Sequence, residues 1–140
     1  MCEGLNSSIS TKYELQDGRM IKEWFYRNDI LRESRTFSYD SFGNITKLLG
    51  YDDIPYELIS YDNKKGIFSG INKPDWLWWK FIEPLGSHTV NNPIETISTN
   101  HFENQTTVYE YEYNSSDYPT KIKVNGLAEI EIKYIEVNKN

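Results

Sequence analysis

Between Thr106 and Val124 the chain reads TTVYEYEYNSSDYPTKIKV, two alternating runs around a polar turn. Side chains on a strand point alternately to opposite faces, so this period of two predicts a β-hairpin. Tyr109, Tyr111 and Tyr113 fall on one face, with Glu110 and Glu112 on the other. After Asn114-Ser115-Ser116-Asp117, the residues Thr120, Ile122 and Val124 alternate with Lys121 and Lys123. Pairing Tyr113 with Thr120 sets Tyr111 against Ile122 and Tyr109 against Val124. The same register puts Glu112 by Lys121 and Glu110 by Lys123. A slip of one residue would break both faces together, so the pattern specifies its own register.

The unit recurs. Phe37 to Leu48 aligns without gaps to Tyr111 to Ile122, with Tyr39, Ser41, Thr46 and Lys47 matching Tyr113, Ser115, Thr120 and Lys121. A third copy is split: Leu58-Ile59-Ser60-Tyr61-Asp62-Asn63 supplies its first half and Asn92-Pro93-Ile94-Glu95-Thr96-Ile97 its second. Asp, Asn, Ser and Gly dominate the turns, where short side chains bond nearby backbone and glycine accepts positive φ.

The remaining strands follow from the same rhythm. Tyr13-Glu14-Leu15 begins a first strand, a turn lies at Asp17-Gly18, and Met20–Tyr26, Ile30–Tyr39 and Glu57–Tyr61 read as further strands. Residues 1–10 are small and polar and are expected to be disordered. After Asn125-Gly126 a final strand is predicted from Ala128 to Val137. Asn-Gly signals a two-residue hairpin turn. A third loop residue at Leu127, however, places Lys123 by Glu129, Ile122 by Ile130 and Lys121 by Glu131, so a three-residue loop or bulge is predicted.

Residues 64–91 interrupt the pattern with Gly66, Gly70, Pro74, Pro84 and Gly86. Inside them, the stretch from Lys73 to Glu83 has a proline and an acid at its head and Pro84 behind it, which are helix start and stop signals. It predicts a short helix with Trp76, Trp79 and Ile82 on one face. An apolar sheet face must be covered, and this Trp-rich segment is the natural cover. The fold expected is all-β: a single domain over residues 11–140, an antiparallel meander of repeated hairpins with about eight to ten strands. The expectation is a twisted or curled sheet or a partly open barrel, with a closed barrel as a further alternative, and the helix on the concave face.

Composition sharpens this. The 140 residues include eleven Tyr and four Trp, 15% aromatic in all, which suits pleated, half-buried surfaces. A net charge of −6 argues against a nucleic-acid partner, which needs a clustered basic surface, and disfavours anionic membranes. Cys2 is the one cysteine, so neither an internal disulfide nor a cysteine-based zinc site is available. No apolar stretch approaches the roughly 20 residues of a membrane span.

Reaction chemistry has little to work with. The two histidines, His88 and His101, lack the close spacing of helical metal ligands. No G-x-S-x-G elbow is present for a serine nucleophile. The acids Asp40, Asp52, Asp53, Asp62 and Asp117 sit where turns need them, and the D-x-D-x-D-G spacing of a calcium loop is absent. No catalytic residue, metal ligand or cofactor is therefore expected, and an enzyme is not.

The phrases Tyr39-Asp40-Ser41-Phe42-Gly43-Asn44-Ile45-Thr46-Lys47 and Tyr113-Asn114-Ser115-Ser116-Asp117-Tyr118-Pro119-Thr120-Lys121 resemble the tyrosine–aspartate (YD/RHS-type) repeat. Together with Tyr61-Asp62-Asn63-Lys64-Lys65 and Asn91-Asn92-Pro93, they are most similar to repeat-bearing domains of unknown function in surface or periplasmic lipoproteins of Bacteroidetes. The resemblance implies an exported, envelope-associated protein and brings no catalytic residues. It also favours a lipid anchor on Cys2, whereas the residues alone favour an ordinary second position. The expected function is a non-enzymatic binding or structural module for a glycan or protein ligand, with Trp76, Trp78 and Trp79 as binding candidates. The alternative is a carrier holding a lipid-like ligand in an apolar cavity under the curled sheet.

Overall fold

The computed structural model describes residues 8–51, 53–69, 90–99 and 103–135. Among the described residues nine strands form one sheet: β1 (Ile9–Gln16), β2 (Arg19–Arg27), β3 (Ile30–Tyr39), β4 (Ile45–Leu49), β5 (Pro55–Tyr61), β6 (Pro93–Thr99), β7 (Asn104–Tyr113), β8 (Pro119–Val124) and β9 (Ala128–Glu131). Their spatial order is their sequence order, and every neighbouring pair is antiparallel. The fold is the meander that the alternation predicts. Among the described residues β1 and β9 do not pair, so the sheet is open and not a closed barrel. The predicted Trp-rich helix lies outside the described residues.

Hairpin β7–β8 has the pairs Tyr109–Val124, Glu110–Lys123, Tyr111–Ile122 and Glu112–Lys121. At its end Tyr113 faces Pro119 and not Thr120, because the register shifts after Glu112. The same shift occurs in the other two copies: Tyr39 faces Ile45 after a shift at Ser38, and Tyr61 faces Pro93 after one at Ser60. A bulge at a fixed place is therefore part of the repeat, and it turns each strand end toward its loop. Beyond Asn125-Gly126-Leu127, β9 pairs as the charges require, Lys123 with Glu129, Ile122 with Ile130 and Lys121 with Glu131.

Two ends differ from expectation. β1 starts at Ile9, inside the stretch expected to be disordered, and the Ser8 amide donates to Asn28 Oδ1 at 3.0 Å. β9 stops at Glu131, short of Val137. Its partner β8 begins at Pro119, which has no N–H to donate, so the ladder runs out after Ile132 donates to the Thr120 carbonyl.

The apolar core is small. Met20, Phe37, Ile45 and Leu48 are buried together, with Tyr39 and Ile59 packed on them. Phe37 faces Leu48 across β3–β4 as Tyr111 faces Ile122 across β7–β8, and Ile122 is likewise buried. Burying each such side chain contributes about 1.5–3 kcal/mol. Polar residues take an unusual share of the interior: Asn44, Asn92, Thr96 and Glu23 are buried as well. A buried amide without partners is costly, so these residues locate the organised polar structure of the molecule.

Candidate functional site

Each repeat turns on the same device. Oδ1 of Asp40 accepts the amides of Phe42, Gly43 and Asn44 at 2.8–2.9 Å, and the Asp40 amide donates to the Asn44 carbonyl. In the last copy Asn114 Oδ1 accepts Ser116 and Tyr118 at 3.0 and 3.1 Å, and the Asn114 amide donates to the Tyr118 carbonyl. In the split copy Asp62 Oδ1 accepts Lys64 and Asn92 at 3.0 Å, and its own amide donates to the Asn92 carbonyl. The chain between residues 64 and 91 is therefore inserted into a turn whose hydrogen bonds remain closed. That follows from the chemistry: the short Asx side chain needs only the two ends of the turn, not the residues between them.

The tyrosines stitch these turns to the strands. Tyr39, Tyr61 and Tyr111 donate their hydroxyls to the carbonyls of Met20, Ile45 and Pro93 at 2.6–2.7 Å, and Tyr134 donates to Pro119 at 2.9 Å. Tyr113 donates instead to the Asp62 carboxylate, joining the last repeat to the split one. Burial pushes the Tyr61, Tyr111 and Tyr113 hydroxyls well above the ordinary tyrosine value, and the nearby Asp62 charge adds to the rise at Tyr111 and Tyr113. They stay protonated as donors throughout the physiological range.

The three turns are then cross-linked into one row. Asn44 Nδ2 donates to Asn91 Oδ1 at 2.9 Å, while Asn44 Oδ1 accepts the Asn91 amide at 3.0 Å. Asn91 Nδ2 donates to the Lys64 carbonyl at 2.7 Å, and Asn92 Nδ2 to the Lys65 carbonyl at 2.9 Å. On the other side the Lys65 amide donates to the Asp117 carbonyl at 3.1 Å, and Lys64 Nζ meets Asp117 Oδ1 at 2.7 Å. The Lys65 ammonium lies 4.8 Å above the Tyr118 ring. Gly66 closes the stem by donating to the Val90 carbonyl at 2.8 Å. Among the described residues no buried side-chain nitrogen or oxygen lacks a partner.

Saturation decides what the acids of the row can do. Both oxygens of Asp62 are engaged, by Lys64, Asn92 and Tyr113. At Asp40 burial alone would raise the pKa, but hydrogen bonds from Asn44, Gly43 and Phe42 outweigh it and hold the carboxyl below the usual carboxylate range. Held this way, the Asp40 carboxylate stays ionised and builds its turn. Among the described residues no group of three or more His, Cys, Asp or Glu side chains could hold a metal ion.

A second polar feature lies on β2 and β3, where Glu23 faces Arg35 and Phe25 faces Glu33. Together with Ser34 they line a hollow of about 190 Å³. Arg35 Nε donates to Glu33 Oε1 at 2.7 Å, and burial raises the Glu23 pKa against the opposing pull of Arg35.

The sequence-predicted residues fare unevenly. Trp76, Trp78 and Trp79 lie outside the described residues, as do His88, His101, Asp52 and Cys2. Asp40, Asp62 and Asp117 are drawn into one row, whereas Asp53 sits apart in the β4–β5 turn with φ of 56°. Sequence reasoning did not single out Asn44, Asn91, Asn92 or Lys64. The available signal was positional: Asn44 and Asn92 occupy the same place in the repeat, directly before the buried residue that opens the next strand. No family model, curated protein or solved structure matches this chain.

Proposed function

We propose that the chain is a non-enzymatic binding module of the cell envelope, built on YD-type repeats, in which the turn row anchors both ends of the inserted segment and the tryptophans of that segment are the recognition candidates. One observation carries the reading: the segment leaves and rejoins the sheet inside a single hydrogen-bonded network, through Lys64, Lys65 and Gly66 on one side and Val90, Asn91 and Asn92 on the other. Rigid scaffolds that pin both ends of a long loop are a common way to present binding residues. The segment contains Trp76, Trp78 and Trp79, and aromatic rings stack on sugars and anchor protein partners. Asp40 and Asp62 have both carboxylate oxygens engaged in the row, which turns the reading away from catalysis.

Binding to immobilised glycans and to envelope extracts tests it. Alanine at Trp76, Trp78 and Trp79 together is expected to weaken binding at least about tenfold in protein whose sheet stays folded by circular dichroism; each good aromatic contact is worth about 1–2 kcal/mol. Retention of full binding by the triple variant contradicts it. Attachment through a lipid on Cys2 accompanies the proposal, and fatty-acid labelling in cells that is lost in Cys2→Ser checks that part. The lipid-carrier alternative gains no support from the hollow on β2–β3, whose walls carry Glu23, Glu33 and Arg35.

A further inference from the structure

Among the described residues β1 is an outer strand, paired on one side with β2. The Asn28 amide donates to the Ser8 carbonyl at 2.9 Å, and that pair continues the β1–β2 register. Hydrogen-bonded and non-bonded pairs alternate along an antiparallel ladder. Ser10, Lys12 and Glu14 thus turn their backbone groups toward β2, while Ile9, Thr11 and the residues in phase with them turn theirs outward. The strand has no proline, and Ile9 and Leu15 are 63% and 52% exposed. An edge of this kind is a template for another strand unless charge or shape forbids it.

Charge selects the partner. We infer that β1 pairs with β1 of a second copy, antiparallel about a twofold axis at Tyr13. Only registers that set outward-facing residues against outward-facing residues can bond, and two of these share the longest overlap of this strand with itself. The first sets Lys12 against Lys12, with two ammonium groups face to face. The second sets Tyr13 against Tyr13, Thr11 against Leu15, Ser10 against Gln16, and Lys12 against Glu14 of the second copy, twice by symmetry. Glu14 already faces Lys22 across the β1–β2 hairpin. The second register therefore extends one row of alternating sign, Lys22, Glu14, then Lys12 of the second copy. Lys12 is placed for this on the sheet surface, 4.9 Å above the Tyr26 ring. Opposite charges directly across a strand pair stabilise it and like charges oppose it. A twofold contact uses one patch twice and closes without forming a fibre. One strand pair is a small interface, so the dimer forms in a concentration-dependent equilibrium.

Sedimentation equilibrium of the full chain over a wide concentration range tests the inference, with circular dichroism to follow the fold. The weight-average mass is expected to rise from one chain toward two. Lys12→Glu, which sets two carboxylates against each other at both symmetric positions, is expected to weaken association at least about tenfold. The exchange Lys12→Glu/Glu14→Lys restores opposite signs and is expected to recover most of it. Thr11→Pro, which removes an outward N–H and no bond to β2, is expected to abolish pairing independently of charge. A single-chain mass at every concentration overturns the inference. So does a dimer indifferent to Lys12→Glu, or one lost in that variant and not recovered by the exchange.

Discussion

The first and last turns of the repeat have the same backbone design and different side chains. In both, an Asx side chain accepts two or more amides, the fourth position has positive φ, and a bulge precedes the turn. They diverge in how they reach the split turn between them. The first uses a fully buried amide, Asn44, which exchanges two hydrogen bonds with Asn91. The last uses a half-exposed ion pair, Asp117 with Lys64, and an ammonium over the Tyr118 ring. The shape of the turn is thus set by its first and fourth residues. The fifth and the exposed side chains decide what the turn is fastened to, and a buried amide fastens more tightly than a screened ion pair.

Asn44→Ala and Tyr118→Ala act on the same repeat position and put that contrast to its strongest test. Removing Asn44 strips Asp40 and Asn91 of buried partners, and a loss of about 2–3 kcal/mol is expected in urea unfolding. Tyr118→Ala loses a ring contact with Tyr134, 5.5 Å between centroids, and the Lys65 contact, for about 1–1.5 kcal/mol. Equal losses would mean the two fastenings are equivalent.

The fourth position gives a smaller separation. Gly43 has φ of 104°, and a Cβ there would lie 2.9 Å from Arg19 Nη2. The guanidinium end can move, but the backbone angle cannot be relieved so easily, so Gly43→Ala is expected to cost about 1–2 kcal/mol. Asp117 already carries a side chain at φ of 65°, and its ion pair is exposed. Asp117→Ala is expected to change stability less than Gly43→Ala does. Thermal unfolding of the two variants ranks them directly.

The smallest effect concerns charge at the first position, where Asp40 stands against Asn114. The folded Asp40 pKa is held below that of an unfolded aspartate, about 3.9. Its ionised form therefore stabilises the fold fully above about pH 4, and that contribution is lost as pH falls through the lower folded value. Asp40→Asn copies the last turn. Its stability deficit against the parent protein is expected to shrink as pH is lowered from about 5 to about 2.5. A constant deficit would place the benefit of Asp40 in shape rather than charge.

Local pairing was legible in the sequence. The alternation of Tyr with Glu and of Ile with Lys fixed four pairs of β7–β8, and the charges of Glu129 and Glu131 fixed the loop at Leu127. The pairing of Tyr113 was missed, because a bulge leaves alternation intact on each strand and changes only which residues face each other. The split copy was legible through Tyr61-Asp62 and Asn92-Pro93, which retain the turn chemistry at both ends of the insertion. The row itself was not. Asn44 to Asn91 and Lys64 to Asp117 join residues far apart in the chain, and asparagine and lysine are common enough in loops that neither announces a partner.

The central physical claim is that the ends of the insertion are locked by three turns acting as one network. Native-state amide hydrogen exchange at Lys65, Gly66, Asn91 and Asn92 measures it. Protection comparable with that of Leu48 and Ile122 is expected, falling at all four amides together in Asp62→Ala. Rapid exchange at these amides in the parent protein, or loss confined to Asn92 in the variant, would contradict it.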